Sequence, residues 1–119
     1  GLTFKPETDD MRDAPSLTVL PALINNGAKI RAHDPEGIKQ AKQLLPDSIE
    51  YFSDIYQAAD EADAIILMTE WNQYRGLDLV SLKRRLKGNI FIDLRNIYEP
   101  NEMKESGFEY YCIGRGENF

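Results

Sequence analysis

Two spacings of apolar residues take turns along the chain. Leu17, Leu20, Leu23 and Ile24 recur at helical intervals and so share one face of a helix. Asp13-Ala14-Pro15-Ser16 ahead of them is a helix start, with an acidic or small cap and a proline tolerated in the first turn, and Asn26-Gly27 is a stop. Pro21 has no N–H to contribute and is expected to bend that helix. Ala28 to Asp34 is a short strand carrying Ile30 and Ala32, closed by Asp34-Pro35. A helix from about Glu36 to Leu45 is stopped by Pro46, and Ile49 to Phe52 is a short edge strand. Ser53 or Asp54 caps a small helix running through Ala62. Ala64-Ile65-Ile66-Leu67-Met68 is then a continuous apolar run, the pattern of a strand buried on both faces in a parallel sheet. A further helix runs from about Leu79 to Leu86, closed by Lys87-Gly88. Its basic last turn of Lys83, Arg84, Arg85 and Lys87 suits the negative end of the helix dipole and reads as a solvated end. Asn89 to Leu94 is another buried strand, Glu102 to Ser106 a short helix with Gly107 as its cap, and Phe108 to Ile113 a last strand before Gly114-Arg115-Gly116.

Strands alternating with helices predict an α/β fold, a Rossmann-like doubly wound, mostly parallel sheet, with residues 1–119 forming one domain. In such a sheet, ligands sit beyond the carboxyl ends of the strands, where loops feed helix N-termini whose free N–H groups favour anions. The first thirteen residues, Gly1 to Asp13, have that layout: a strand stump, a charged loop holding Lys5 and Arg12, and the approach to a helix. The G-x-G-x-x-G spacing that brings backbone N–H groups onto a pyrophosphate is missing, so a diphosphate here would depend on side-chain cations. Gly1-Leu2-Thr3-Phe4 is also short for a buried strand. The expectation is a first strand truncated at its N-terminus within a longer protein, leaving a sheet that is either less stable or repaired by a neighbouring chain.

Charge narrows the partners. A formal net charge of -6 and a pI near 4.8 argue against non-specific nucleic-acid binding, so an anionic ligand needs a local cationic site. With one cysteine, Cys112, an intrachain disulfide is excluded, and one histidine provides no metal-ligand cluster of the usual kind. No apolar run reaches the ~18 residues of a membrane span. These features lead to the expectation of a reducing, cytoplasmic setting with no membrane and no nucleic acid.

Phe4-Lys5-Pro6, then Thr8-Asp9-Asp10-Met11-Arg12-Asp13-Ala14-Pro15-Ser16, Thr69-Glu70-Trp71, Asp93-Leu94-Arg95-Asn96 and Tyr110-Tyr111 through Ile113-Gly114-Arg115 follow one another in the chain. Taken together they resemble the C-terminal, UDP-binding domain of the UDP-glucose/GDP-mannose dehydrogenases, over nearly the whole length. The resemblance implies a parent enzyme that oxidises a nucleotide sugar twice at C6 with NAD, as in UDP-glucose to UDP-glucuronate, in the service of polysaccharide biosynthesis. Other members take UDP-N-acetyl-hexosamines or GDP-mannose. It also implies an NAD-binding domain and a nucleophilic cysteine outside this chain, a homo-oligomer, and no catalytic residue here, so that the fragment alone is inactive. A non-catalytic nucleotide-binding or assembly module is the reading from a different class.

Residue by residue, the resemblance matches Lys5 to a lysine reaching the substrate, beside Phe4, which either lines the nucleotide pocket or packs under the sheet. Arg95 matches an arginine approaching the substrate, against the plain alternative of a surface arginine in a strand-to-helix loop. Arg12 matches an arginine on the NAD side, where a guanidinium can fork onto a pyrophosphate, or else pairs with Asp9, Asp10 or Asp13. Glu70 and Trp71 form a pocket wall, or Trp71 is core. Asp34 stands where an acid meets a ribose in a true dinucleotide fold, and His33 beside it reads as structural. Cys112 reads as a small, buried apolar residue.

Overall fold

In a computed structural model of the protein, residues 1–114 are described, and Arg115, at the end of the sequence motif, lies outside them. Helix α1 (Ser16–Asn25) is followed by strand β1 (Arg31–Ala32), α2 (Ile38–Leu44) and β2 (Glu50–Tyr51). Then come α3 (Ile55–Ala59), β3 (Ala64–Leu67), α4 (Asn72–Arg75), α5 (Leu79–Arg85), β4 (Ile90–Asp93), α6 (Pro100–Glu105) and β5 (Glu109–Cys112). All paired strands run parallel, in two separate pieces: β1-β2 and β3-β4-β5.

The apolar run through β3 divides its side chains by the two-residue period of a strand. Leu67 and Ile65 join a core with Phe91, Tyr98, Met103, Phe108 and Tyr110, whereas Met68 and Ile66 join a second core with Leu20, Ala32 and Ala41. One sheet layer therefore separates two cores, with α3, α5 and α6 contributing to the first and α1 and α2 to the second. That is the doubly wound α/β arrangement the pattern predicts. Phe91 is fully buried at the centre of the first core, where the rings of Tyr98 and Phe108 meet it edge-on at centroid distances of 5.3 and 5.4 Å.

Several boundaries differ from expectation for identifiable reasons. Residues 1–4 form no strand, because the N–H groups of Leu2 and Thr3 donate to the carboxylate of Asp34 instead of to a neighbouring strand. The sheet is consequently not continuous. β3 is not buried throughout either: Ala64 is exposed and Ile65 and Ile66 are half-buried, because the side of β3 away from β4 has no partner strand. α1 is capped by Pro15 without a side-chain bond and continues through Pro21; Ser16, fully buried, donates to the Leu2 carbonyl at 2.7 Å. α3 ends at Ala59, short of Ala62. Here Asp54 supplies the expected cap, accepting from the Tyr56 N–H. α4 has no counterpart in the sequence reading, since Asn72 to Arg75 is too short to show a helical period.

Candidate functional site at the strand ends

The opening loop is held at the carboxyl ends of β1 and β3 by hydrogen bonds to named side chains. Asp34, buried just past β1, accepts from the N–H groups of Leu2 and Thr3 on Oδ1 at 2.7 and 3.1 Å and from those of Glu36 and Gly37 on Oδ2 at 3.0 and 2.7 Å. Past β3, Thr69 Oγ1 donates to the Thr3 carbonyl at 2.7 Å and Trp71 Nε1 to Thr3 Oγ1 at 3.3 Å. Gly37 has to be glycine, since a Cβ there would stand 2.4 Å from the Thr3 methyl. Beyond these anchors the loop closes on itself: the Phe4 N–H donates to the Asp10 carbonyl at 2.9 Å, and the buried Met11 pins its far side into the second core.

β4 ends in the same device. Asp93, fully buried, accepts from the N–H groups of Arg95, Ile97 and Tyr98 at 2.9–3.1 Å and from the Tyr110 hydroxyl at 2.7 Å. The carboxylate winds residues 94–98 into a tight loop and leaves Arg95 outside it, where Arg95 Nε donates to Glu70 Oε2 at 2.6 Å. Glu70 lies between Thr69 and Trp71, the two residues that grip Thr3. Lys5 follows, two residues on, the Thr3 that the Thr69–Trp71 segment holds, and Arg95 is tied to the middle of that segment. Both are exposed and both sit at the carboxyl rim of the sheet.

Charge at this rim follows from those contacts. Burial works to raise the Asp34 pKa, but the amides of Leu2, Thr3, Glu36 and Gly37 outweigh it and hold the carboxyl below its usual range. Arg12, through side-chain and backbone hydrogen bonds, lowers Asp10 to about 2. Burial lowers the His33 pKa, the Gly1 amine adding to it, so the ring is neutral at pH 7. Burial raises that of Tyr74, whose hydroxyl lies 2.9 Å from His33 Nδ1.

The sequence-predicted residues thus fall into two groups. Phe4, Lys5 and Arg95 are exposed beyond the strand ends, Arg95 on Glu70, and Phe4, 45% exposed, does not pack under the sheet. Arg12 is exposed in the same loop, with Nε and Nη2 forked onto Asp10 at 3.0 and 2.9 Å. Asp34 is not available to a ribose, because four backbone amides occupy its oxygens. Trp71 is core, 5% exposed, and Glu70 is the ion-pair partner of Arg95. Cys112 is a half-buried free thiol packed against the first core. At the basic end of α5, Arg84 and Lys87 are exposed, Lys83 is half-buried, and Arg85 pairs with Asp60 at 3.0 Å. Thr3, Thr69 and Asp93 shape the site yet escaped the sequence reading; a polar residue closing an apolar strand run was the available signal for the last two.

Residues 1–100 match the family model of the UDP-glucose/GDP-mannose dehydrogenase family, UDP binding domain. The chain belongs to that family. It is 48% identical over 115 residues to a UDP-glucose 6-dehydrogenase of Rhizobium meliloti (strain 1021), covering 97% of this chain and 26% of the relative. With UDP-glucose 6-dehydrogenase TuaD of Bacillus subtilis (strain 168) the identity is 40%, over 97% of this chain and 25% of the other. Among solved structures, an NDP-N-acetyl-D-galactosaminuronic acid dehydrogenase from Methanosarcina mazei Go1 superimposes with a TM-score of 0.82 at 30% identity, covering 97% of this chain and 23% of that one. A UDP-glucose dehydrogenase from Pyrobaculum islandicum gives 0.73 at 32%, over 93% and 23%. The chain thus spans about a quarter of the length of the curated relatives it matches, and as a UDP-binding domain of this family it carries the strand-end rim just described.

Proposed function

We propose that this chain is the UDP-sugar-binding part of an NAD-dependent nucleotide-sugar 6-dehydrogenase that converts UDP-glucose to UDP-glucuronate in the cytoplasm, feeding polysaccharide biosynthesis. What supports the reading is the 48% identity to a UDP-glucose 6-dehydrogenase, in a chain whose Lys5 and Arg95 are both exposed beyond the strand ends, Lys5 two residues after the Thr3 that Thr69 and Trp71 hold and Arg95 on the Glu70 between them. That identity favours UDP-glucose over an N-acetylated sugar, for which the named structural neighbour stands at 30%.

In this reading Lys5 and Arg95 neutralise the diphosphate and sugar oxygens while Phe4 gives the nucleotide an apolar surface. The role is placement: binding energy from the remote nucleotide holds the sugar C6 against groups carried by the rest of the polypeptide. NAD supplies the hydride acceptor when bound. This chain offers it little, since it has no glycine cradle and its assigned residue, Arg12, already serves Asp10. Arg12 reaches a cofactor pyrophosphate by exchanging that carboxylate for it, so NAD is held mainly by a separate N-terminal domain, in a homo-oligomer. The fragment by itself is inactive.

Calorimetric titration of the longer polypeptide with UDP, GDP and NAD tests this reading. UDP is expected to bind in preference to GDP, and Lys5→Ala and Arg95→Ala each to raise the KM for UDP-glucose by about tenfold or more, as expected for losing a charge-assisted contact. Unchanged kinetics in both variants would remove the assignment.

A further inference from the structure

Arg12 and Arg95 are both exposed, and they use their guanidinium groups differently. Arg12 turns Nε and Nη2 together onto Asp10, at 3.0 and 2.9 Å, so one carboxylate takes a whole edge of its planar fork. Arg95 gives Glu70 only a corner: Nε donates to Oε2 at 2.6 Å, and the two Nη groups make no hydrogen bond to a described residue. A guanidinium grips a phosphate or carboxylate by presenting two N–H groups side by side. In Arg12 that edge is occupied, whereas Arg95 keeps the edge between its Nη groups for a ligand.

Glu70 has the support that a fixed post needs. Thr69 before it, fully buried, donates to the Thr3 carbonyl, and Trp71 after it, 5% exposed, donates to the Thr3 hydroxyl, so the backbone is anchored on both sides. The same hydroxyl donates to the Lys5 carbonyl at 3.0 Å, which ties the loop carrying Lys5 to this segment. Arg95 is also held at its other end, its N–H donating to Asp93 at 3.0 Å. With side-chain exposures of 37% for Arg95 and 23% for Glu70, the ion pair adds little to stability. What it does is restrict a long side chain before a ligand arrives, so that less rotamer freedom is lost on binding.

We propose that Glu70 is a positioning residue of the nucleotide-sugar site: it holds Arg95 at Nε, presents the two Nη groups to the anionic oxygens of the ligand, and stays in place when the ligand binds. A carboxylate that only neutralised the arginine would take the fork, as Asp10 does, and would have to be displaced. The inference rests on the UDP-sugar reading above and adds to it the group that orders the arginine.

The test is a mutant cycle in the longer polypeptide, read as KM and kcat for UDP-glucose. Glu70→Ala is expected to raise KM about threefold to fivefold, the size expected for ordering a partly exposed pair, with kcat little changed. Glu70→Gln, whose amide oxygen still accepts from Nε, is expected to recover most of the loss. Combined with Arg95→Lys, which has no Nε–H to be held, or with Arg95→Ala, the Glu70→Ala change is expected to add no further rise. A KM that falls in Glu70→Ala would make the carboxylate a competitor of the ligand and overturn the proposal. So would an unchanged KM, or the same rise with and without Arg95→Ala. If Arg95→Ala raises KM and Glu70→Ala does not, this inference fails and the UDP-sugar reading stands; if Arg95→Ala changes nothing, Arg95 leaves the site and the role of Glu70 goes with it.

Discussion

The two pieces of the sheet use the same terminal device and differ in everything else. Asp93 and Asp34 both end a strand, both are buried, and both gather the amides of the following loop. Around Asp93 the strands are four residues long, three abreast, with an aromatic cluster beneath. Around Asp34 the strands are two residues long and one edge faces a cleft between β1 and β3. The comparison teaches that the loop geometry of a strand end is set locally by one carboxylate, whereas the length and burial of a strand depend on having a neighbour on each side. The candidate site straddles both pieces: Arg95 belongs to the completed half and Lys5 to the open one.

The sharpest test of that contrast is a pair of truncations. Phe91→Ala removes a fully enclosed ring and is expected to cost about 3–5 kcal/mol by urea denaturation, whereas Ile66→Ala, at the cleft wall, is expected to cost under about 2 kcal/mol in the 119-residue chain. Similar costs would mean that the cleft is closed in solution. Next in size is Asp93→Ala, which removes the acceptor of three loop amides, that of Tyr98 buried, and of the Tyr110 hydroxyl, and is expected to lose about 3 kcal/mol. Asp34→Ala is expected to lose less overall but to speed hydrogen exchange at Leu2 and Thr3 selectively.

A smaller effect is the pH dependence of the open half. Between pH 5 and 8 the unfolded chain binds a proton at the Gly1 amine that the folded chain, with its amine held down to about 5, does not. Stability therefore climbs as pH rises through that window, and the lowered pKa of His33 adds in the same direction. Acetylating the amine should flatten most of the climb in a urea series. Asp34 acts at the acid end: its folded pKa is depressed, so its contribution is complete above the unfolded value near ~3.9 and is lost as pH falls through the folded one. Smallest of all, Arg12→Ala breaks an exposed pair and should leave the unfolding midpoint unchanged, while the Asp10 carboxyl returns from about 2 toward ordinary values by NMR titration.

Much of this was legible in the residues. Helical spacing located α1, stops and caps located α2, α3 and α5, and apolar runs located β3 and β4, because spacing, stops and runs are all direct consequences of backbone geometry. The motif order Phe4-Lys5-Pro6, Thr69-Glu70-Trp71 and Asp93-Leu94-Arg95-Asn96 pointed to the family and to Lys5 and Arg95. The burial of β3 was misjudged for a clear reason: an apolar run reports what a strand prefers around it, not whether a neighbour is present on each edge.

By itself the sequence determined the order of elements, the parallel α/β class and the residue types available at the rim, all of which follow from local periodicity and from motifs contiguous in the chain. Only the tertiary structure decided that Thr69 and Trp71 grip Thr3, that Asp34 is spent on amides rather than open to a ribose, that Arg95 is leashed by Glu70, and that a strand-wide cleft parts the sheet. Those outcomes rest on hydrogen bonds and packing between residues 25 to 68 positions apart, and which distant donor meets which acceptor is fixed when the chain packs, not by any period along it.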